Sequence, residues 1–287
     1  MSRVVLAAAV FSLFLSACSS NNVTVDNSLQ PYFDSAGVKG SFALFDNGHG
    51  DFRICNLTRY RDSLYPPGAT FDILQSLIAV QTGVLKDENS LLPPANMPGS
   101  GVGVRIAGRP DTGSKAHPAL TLKEGFQDSS AFARDEFREL AGQIGRDTLK
   151  RWIDSLQYGN KKMGETADLD FWQDGTLRIN ADQQLGLLKK LYFNQVPSFF
   201  NRTQEIVRGI FATENKSSFR LSYKLAQTGM TNGHEVGWVM GWIEENKHPY
   251  FFVVNLESAD PAKDLRRTGL DITRKILQKL GFFEGLK

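Results

Sequence analysis

The stretch that most constrains this chain runs from Pro66 to Gly83, PPGATFDILQSLIAVQTG. A Pro-Pro-Gly turn leads into an apolar run with Phe71, Leu74, Leu77 and Ile78 at i, i+3, i+6 and i+7. That spacing predicts one face of a buried helix, and Gly83 is placed to stop it. A residue just after the turn stands at a helix N-terminus, where backbone N–H groups can steady a developing negative charge. The chain must therefore build its core around this segment.

The flanking patterns say what that core contains. Residues 40–46 alternate like a strand, meet the turn Asn47-Gly48-His49-Gly50, and return along Phe52–Leu57 as a hairpin. Residues 90–118 are rich in Pro and Gly and read as a long loop. Thr121 and Glu124 have the spacing of a capping box. Phe132 to Gln157 is helical with a break at Gly145, a helix follows a cap near Asn180, and Gln204–Phe211 is a short helix. Strands are expected at Phe219–Leu225, Glu235–Glu244 and Tyr250–Glu257, and a last amphipathic helix at Leu265–Leu280. Strands first, helices in the middle, and antiparallel strands with a helix last predict an α+β fold.

Several functions are disfavoured by what is missing. The net charge is +2 with Lys and Arg spread along the chain, so no basic stripe points to a nucleic-acid partner. His49, His117, His234 and His248 are scattered without metal-ligand spacing, and no metal or other cofactor is expected. Gly101-Val102-Gly103 lacks the strand-then-helix context of a dinucleotide loop.

The N-terminus reads as a targeting segment. Arg3 precedes an apolar run from Val4 to Leu15 that is too short to span a bilayer. The run ends in Leu15-Ser16-Ala17-Cys18, which resembles the lipobox of bacterial lipoproteins. That resemblance implies a lipoprotein signal peptide over 1–17, acylation of Cys18, and a membrane partner. With Ser19 and not Asp after the cysteine, it points to the outer membrane, facing the periplasm. The alternative is a plain signal peptide with a chance cysteine. Residues 18–30 are polar and expected to be a flexible tether, leaving 31–287 as the folded domain. Cys55 would then be the one free thiol, without a disulfide partner, and is expected to be buried and structural.

Pro67-Gly68-Ala69-Thr70-Phe71-Asp72 resembles the active-site segment of the class D serine β-lactamases, which reads Pro-x-Ser-Thr-Phe-Lys. Other stretches follow in that family's order: Tyr158-Gly159-Asn160, Phe171-Trp172-Gln173-Asp174-Gly175, and Gln227-Thr228-Gly229 ahead of Gly237–Trp242. The resemblance spans about Gly40 to Leu280. It implies an antiparallel sheet packed between helices, with a smaller helical subdomain.

It also implies a chemistry. In that family a serine attacks the lactam carbonyl, a lysine carried as a carbamate is its base, a second serine relays protons, and a Lys-Thr-Gly strand binds the substrate carboxylate. Here the corresponding residues are Ala69, Asp72 and Gln227. The relay position falls on Ser129 counting from one side and on Phe132 counting from the other. Thr70, Trp172, Thr228, Gly229 and Arg267 are the remaining candidates for a ligand pocket; Arg266 and Arg267 both lie near, but not on, the spacing of the family's carboxylate-binding arginine. Thr70 is a conceivable substitute nucleophile, but it lacks a lysine base, and no Ser-x-x-Lys occurs anywhere in the chain. Asp72, if buried, is expected to be held by hydrogen bonds from the neighbouring loop. Two readings follow. One is a non-catalytic envelope protein that binds a cell-wall fragment, a peptide or a protein partner. The alternative is a divergent class D-type β-lactamase or related acyl hydrolase with a rearranged site.

Overall fold

The computed structural model describes residues 22–95, 119–128, 130–164, 169–228 and 233–287; Cys18, Ser129, Gly229 and the 101–106 loop lie outside them. Seven strands share one sheet: β1 (Asn22–Val25), β2 (Lys39–Asp46), β3 (Asp51–Cys55), β4 (Ala212–Asn215), β5 (Arg220–Gln227), β6 (Glu235–Glu245) and β7 (His248–Ser258). Their order is β1-β3-β2-β7-β6-β5-β4. Every neighbouring pair is antiparallel except β1 and β3, which run parallel. The α+β architecture inferred from the sequence is the one observed.

Helices cover both faces of the sheet. α1 (Gln30–Asp34) and α9 (Leu265–Lys279) pack on one side, in a layer with Phe42, Val239, Phe252 and Val254. The other side carries α2 (Leu57–Asp62), α3 (Asp72–Thr82), α4 (Leu122–Gln127), α5 (Ala131–Ile144), α6 (Arg146–Ser155), α7 (Ala181–Tyr192) and α8 (Asn201–Gly209). Because both faces are covered, β6 and β7 are buried along most of their length instead of alternating with solvent. α3 is the hub of the helical layer. Every residue from Asp72 to Val80 is buried, and Gly83 ends the helix with φ +78°.

Several local signals act as expected. Thr121 and Glu124 form a reciprocal capping box, Asn180 caps α7, and Gly145 separates α5 from α6. Cys55 is buried, and burial pushes its thiol up to about 11.

The tether is corrected. Residues 22–30, read as part of a flexible segment, form β1, a single turn and the start of α1. Val23 and Val25 favour an extended chain, and the open edge of β3 supplies hydrogen-bonding groups for it. Asp26 then caps the next turn and pairs with Arg53 at 2.8 Å. Order therefore begins by residue 22, ahead of the expected boundary at 31. Two further elements went unread. α2 takes over where the hairpin strand was expected to continue, because Asn56 at φ +58° turns the chain and caps it. β4 is a four-residue edge strand with too little periodicity to register.

One buried acid has no evident structural use. Glu136 on α5 is fully buried, and neither carboxylate oxygen makes a well-formed hydrogen bond. Burial pushes its pKa from 4.5 up to about 7, with the backbone at Leu120 offsetting this only in part. A carboxylate raised in the folded state contributes stability below pH 4.5 that is lost as pH rises through about 7. Glu136→Gln is therefore expected to stabilise the protein at pH 8 by about 1–2 kcal/mol, discounted for residual screening. Thermal melts of variant and wild type should converge near pH 4.5.

Candidate functional site

The Pro-Pro-Gly turn is fixed from three directions. Trp238 Nε1 donates to the Pro66 carbonyl at 2.8 Å, Gly68 N–H donates to the Trp172 carbonyl at 3.0 Å, and Thr70 Oγ1 donates to the Pro67 carbonyl at 2.7 Å. Gly68 is at φ +54°, and a Cβ there would lie 2.5 Å from Thr228 Cγ2. Only glycine lets this turn nest against the end of β5. The turn passes through a short 3-10 segment, Gly68–Phe71, straight into α3.

This seating brings Ala69 and Asp72 onto the wall of a cavity of about 210 Å³. Asp128, Ser130, Ala131 and Arg134, around the start of α5, and Gln173, Gln227, Thr228, Glu235 and Arg266 complete its lining. At position 69 the cavity meets a methyl group, which can neither attack a carbonyl nor carry a proton. Gln173 is buried, and its Oε1 makes no hydrogen bond to the described residues, which leaves an acceptor unused beside the cavity. The lining is charged in both senses, with Arg134 and Arg266 alongside Asp72, Asp128 and Glu235, so the cavity is chemically suited to a small polar ligand.

Asp72 is paired, but not from the neighbouring loop. Lys224 Nζ, reaching in from β5, donates to Asp72 Oδ2 at 2.9 Å. Both side chains are buried, at 1% and 5% exposed. The lysine also donates to the Phe126 carbonyl and stands 4.4 Å from the Phe126 ring centroid. The expected loop donors are thus replaced by one strand lysine, while the last turn of α4 contributes an acceptor to that lysine. Burial pushes Asp72 up to about 6 even though Lys224 pulls it down. The dry interior, and not the ion pair, is the larger influence on this carboxyl.

The other candidates divide. Ala69, Asp72, Gln227 and Thr228 come together on the cavity wall. Gln227 uses its side chain structurally: its carbonyl accepts from Leu265 N–H at 2.9 Å, and its amide donates to Glu235. Thr70 does not face the cavity. It is fully buried, and its hydroxyl accepts from Gln184 Nε2 at 2.6 Å while donating to Pro67. Trp172 is also behind the wall, stacked on Phe71 with ring centroids 5.2 Å apart, and its neighbour Gln173 lines the cavity instead. Its indole N–H meets no acceptor among the described residues.

Of the two relay positions, Phe132 lies in the first turn of α5 and does not line the cavity, and Ser129 lies outside the described residues. The lining serine is Ser130, whose hydroxyl donates to Asp128 and accepts from Ala133 N–H as the cap of α5. Arg267 is exposed; Arg266, one residue earlier, is the arginine at the cavity, because the first turn of α9 rotates its neighbour away. Gly229 lies outside the described residues.

Lys224 is the residue that motif reading missed. Its signal was strand parity. On β5, Ser222, Lys224 and Ala226 share the buried face, so the lysine falls where an apolar residue belongs. Among the described residues, no cluster of three His, Cys, Asp or Glu could hold a metal ion.

The sequence profile of the penicillin binding protein transpeptidase domain matches residues 46–280. β-Lactamase OXA-5 of Pseudomonas aeruginosa is 26% identical over 285 residues, covering 99% of each chain. Regulatory protein BlaR1 of Bacillus licheniformis is 27% identical over 259 residues, which is 88% of this chain and 38% of that protein. Among solved structures, the C-terminal domain of the Bacillus licheniformis BlaR penicillin-receptor shares the fold with a TM-score of 0.76 at 24% identity, over 94% of this chain and 100% of that one. With its length matched from the first hairpin to the last helix, the chain belongs to the penicillin binding protein transpeptidase domain family and is class D β-lactamase-like within it.

Proposed function

We propose that this protein is a lipid-anchored envelope protein that binds a cell-wall fragment, a peptide or a protein partner in the cavity at Ala69 and does not turn it over. The observation that carries this reading is the buried Asp72–Lys224 pair beside a methyl group, where the class D pattern has a serine and its lysine base. An aspartate in this position has no hydroxyl at residue 69 to deprotonate, and its charge is already committed to Lys224. A fold can persist when its original chemistry is gone, because activity belongs to the site. One matched protein, BlaR of Bacillus licheniformis, is named both a regulatory protein and a penicillin-receptor. The anchor reading rests on Leu15-Ser16-Ala17-Cys18, and the outer-membrane, periplasm-facing location on Ser19.

The test is calorimetric titration of the folded domain with a peptide that ends in a free carboxylate, as cell-wall stem peptides do. Binding with no product release is expected, and Arg266→Ala should weaken it roughly tenfold, the loss of about 1.4 kcal/mol of charge-assisted bonding. Steady release of a cleaved product would overturn the reading.

A further inference from the structure

We propose that the protein stands on its membrane with one end of the sheet, the end where β1 begins, against the lipid headgroups, and with the cavity directed away from the bilayer. This rests on acylation of Cys18, the anchor reading above, and adds an orientation to it.

The connection is short. Cys18 precedes Asn22 by four residues, a span of at most ~14 Å when fully extended. Had the tether run to residue 30, the domain could have turned freely above the membrane. Because β1 is pinned to β3, the anchor instead pulls on a fixed corner of the sheet.

The register identifies that corner. Asn22 pairs with Asp51, Asp51 with Asp46, and Asp46 with Tyr250. β1 therefore begins at the end of the sheet that carries the β2–β3 and β6–β7 turns. The cavity is at the other end: Gln227 closes β5, and Glu235 opens β6 opposite Ser258. β7 connects the two ends with eleven residues, a length of roughly 35 Å. The cavity is thus held on the order of 30 Å beyond the point of attachment.

The surface at the anchored end fits a headgroup layer. A hollow of about 430 Å³ there has Leu44, Phe52, Leu280 and Phe282 in its lining, with Arg53 and Lys287 beside them. Val23 and Leu286 are 51% and 77% exposed near it. Of the charged residues in the lining, Asp46 is already bonded to His49 and His248 at 2.8 and 2.9 Å and Arg53 to Asp26 at 2.8 Å, while Asp51 is exposed and Lys287 supplies the cation for headgroups. The exposed Val23 and Leu286, with Lys287 next in the chain, match the boundary between acyl chains and anionic headgroups.

The experiment uses the full-length protein in vesicles of phosphatidylethanolamine and phosphatidylglycerol. Single cysteines are introduced by Glu284→Cys at the anchored end and by Ala262→Cys near the cavity, each labelled with an environment-sensitive fluorophore. The buried Cys55 stays unlabelled. Mass spectrometry of the N-terminal peptide first establishes whether Cys18 carries acyl chains. A headgroup spin-labelled lipid is expected to quench the label at 284 at least threefold more than the label at 262. Acylated Cys18 with equal or reversed quenching would overturn the orientation while leaving the anchor intact. An unmodified Cys18 would overturn both.

Discussion

Replacing Lys224 with methionine is expected to cost the protein about 3–5 kcal/mol of stability at pH 8, because it leaves the buried Asp72 carboxylate without its partner. For a domain of this size that corresponds to a fall in Tm of about 6–20 °C. The pH dependence identifies the cause. Asp72 is already raised from 3.8 to about 6 by burial, and removing Lys224 takes away the group that lowers it. Its folded-state pKa must then rise further. Stability linked to a raised carboxyl is fully present below 3.8 and is lost as pH rises through the folded value. The variant should therefore come closest to wild type near pH 4 and fall furthest behind above pH 7. Urea unfolding at a series of pH values checks this, and a pH-independent deficit would show that Lys224 acts through packing alone.

The second large effect concerns the residue that the class D pattern has in this position. Asp72→Lys, which restores the family's residue, is expected to prevent stable folding. It would place a second ammonium group beside Lys224 in a dry interior where the two side chains now meet at 2.9 Å. Two like charges at such a distance cannot both remain ionised, and desolvation adds several kcal/mol for each. The combination with Lys224→Met should recover a folded protein, because one buried cation can shed its proton. Circular dichroism and soluble yield distinguish the three chains. If Asp72→Lys alone folds as well as wild type, the interior at this point is wetter or more open than the structure shows. The same geometry bears on Ala69→Ser: a hydroxyl added there faces a paired aspartate and no free base, so it is expected to remain unreactive toward β-lactams. Loss of nucleophile or base in comparable serine hydrolases costs on the order of 10⁴ to 10⁶ in rate.

Much of the scaffold was legible because its signals are local. The capping box at Thr121, the stop at Gly83, the break at Gly145 and the cap at Asn180 are each set within a few residues. The long central strands were legible from their apolar length. β1 and β4 were not, because short edge strands depend on a neighbour's open edge. At the site, the turn and its replacements at Ala69 and Asp72 could be read from the frame of matching residues. The partner of Asp72 could not, since Lys224 lies 152 residues away and meets it only through the packing of β5 against the turn before α3. The shift from Arg267 to Arg266 is local: α9 starts at Leu265 as expected, but a helix turns by about 100° per residue, so of two adjacent arginines only one faces the cavity and the sequence alone does not say which.

The central claim is that the cavity at Ala69 binds without covalent chemistry, and intact-mass spectrometry after incubation with a penicillin and with a carbapenem tests it most directly. The unmodified mass is expected throughout, from protein shown to be folded by its thermal transition. A mass increase equal to one drug molecule would contradict the account, and peptide mapping would then locate the nucleophile.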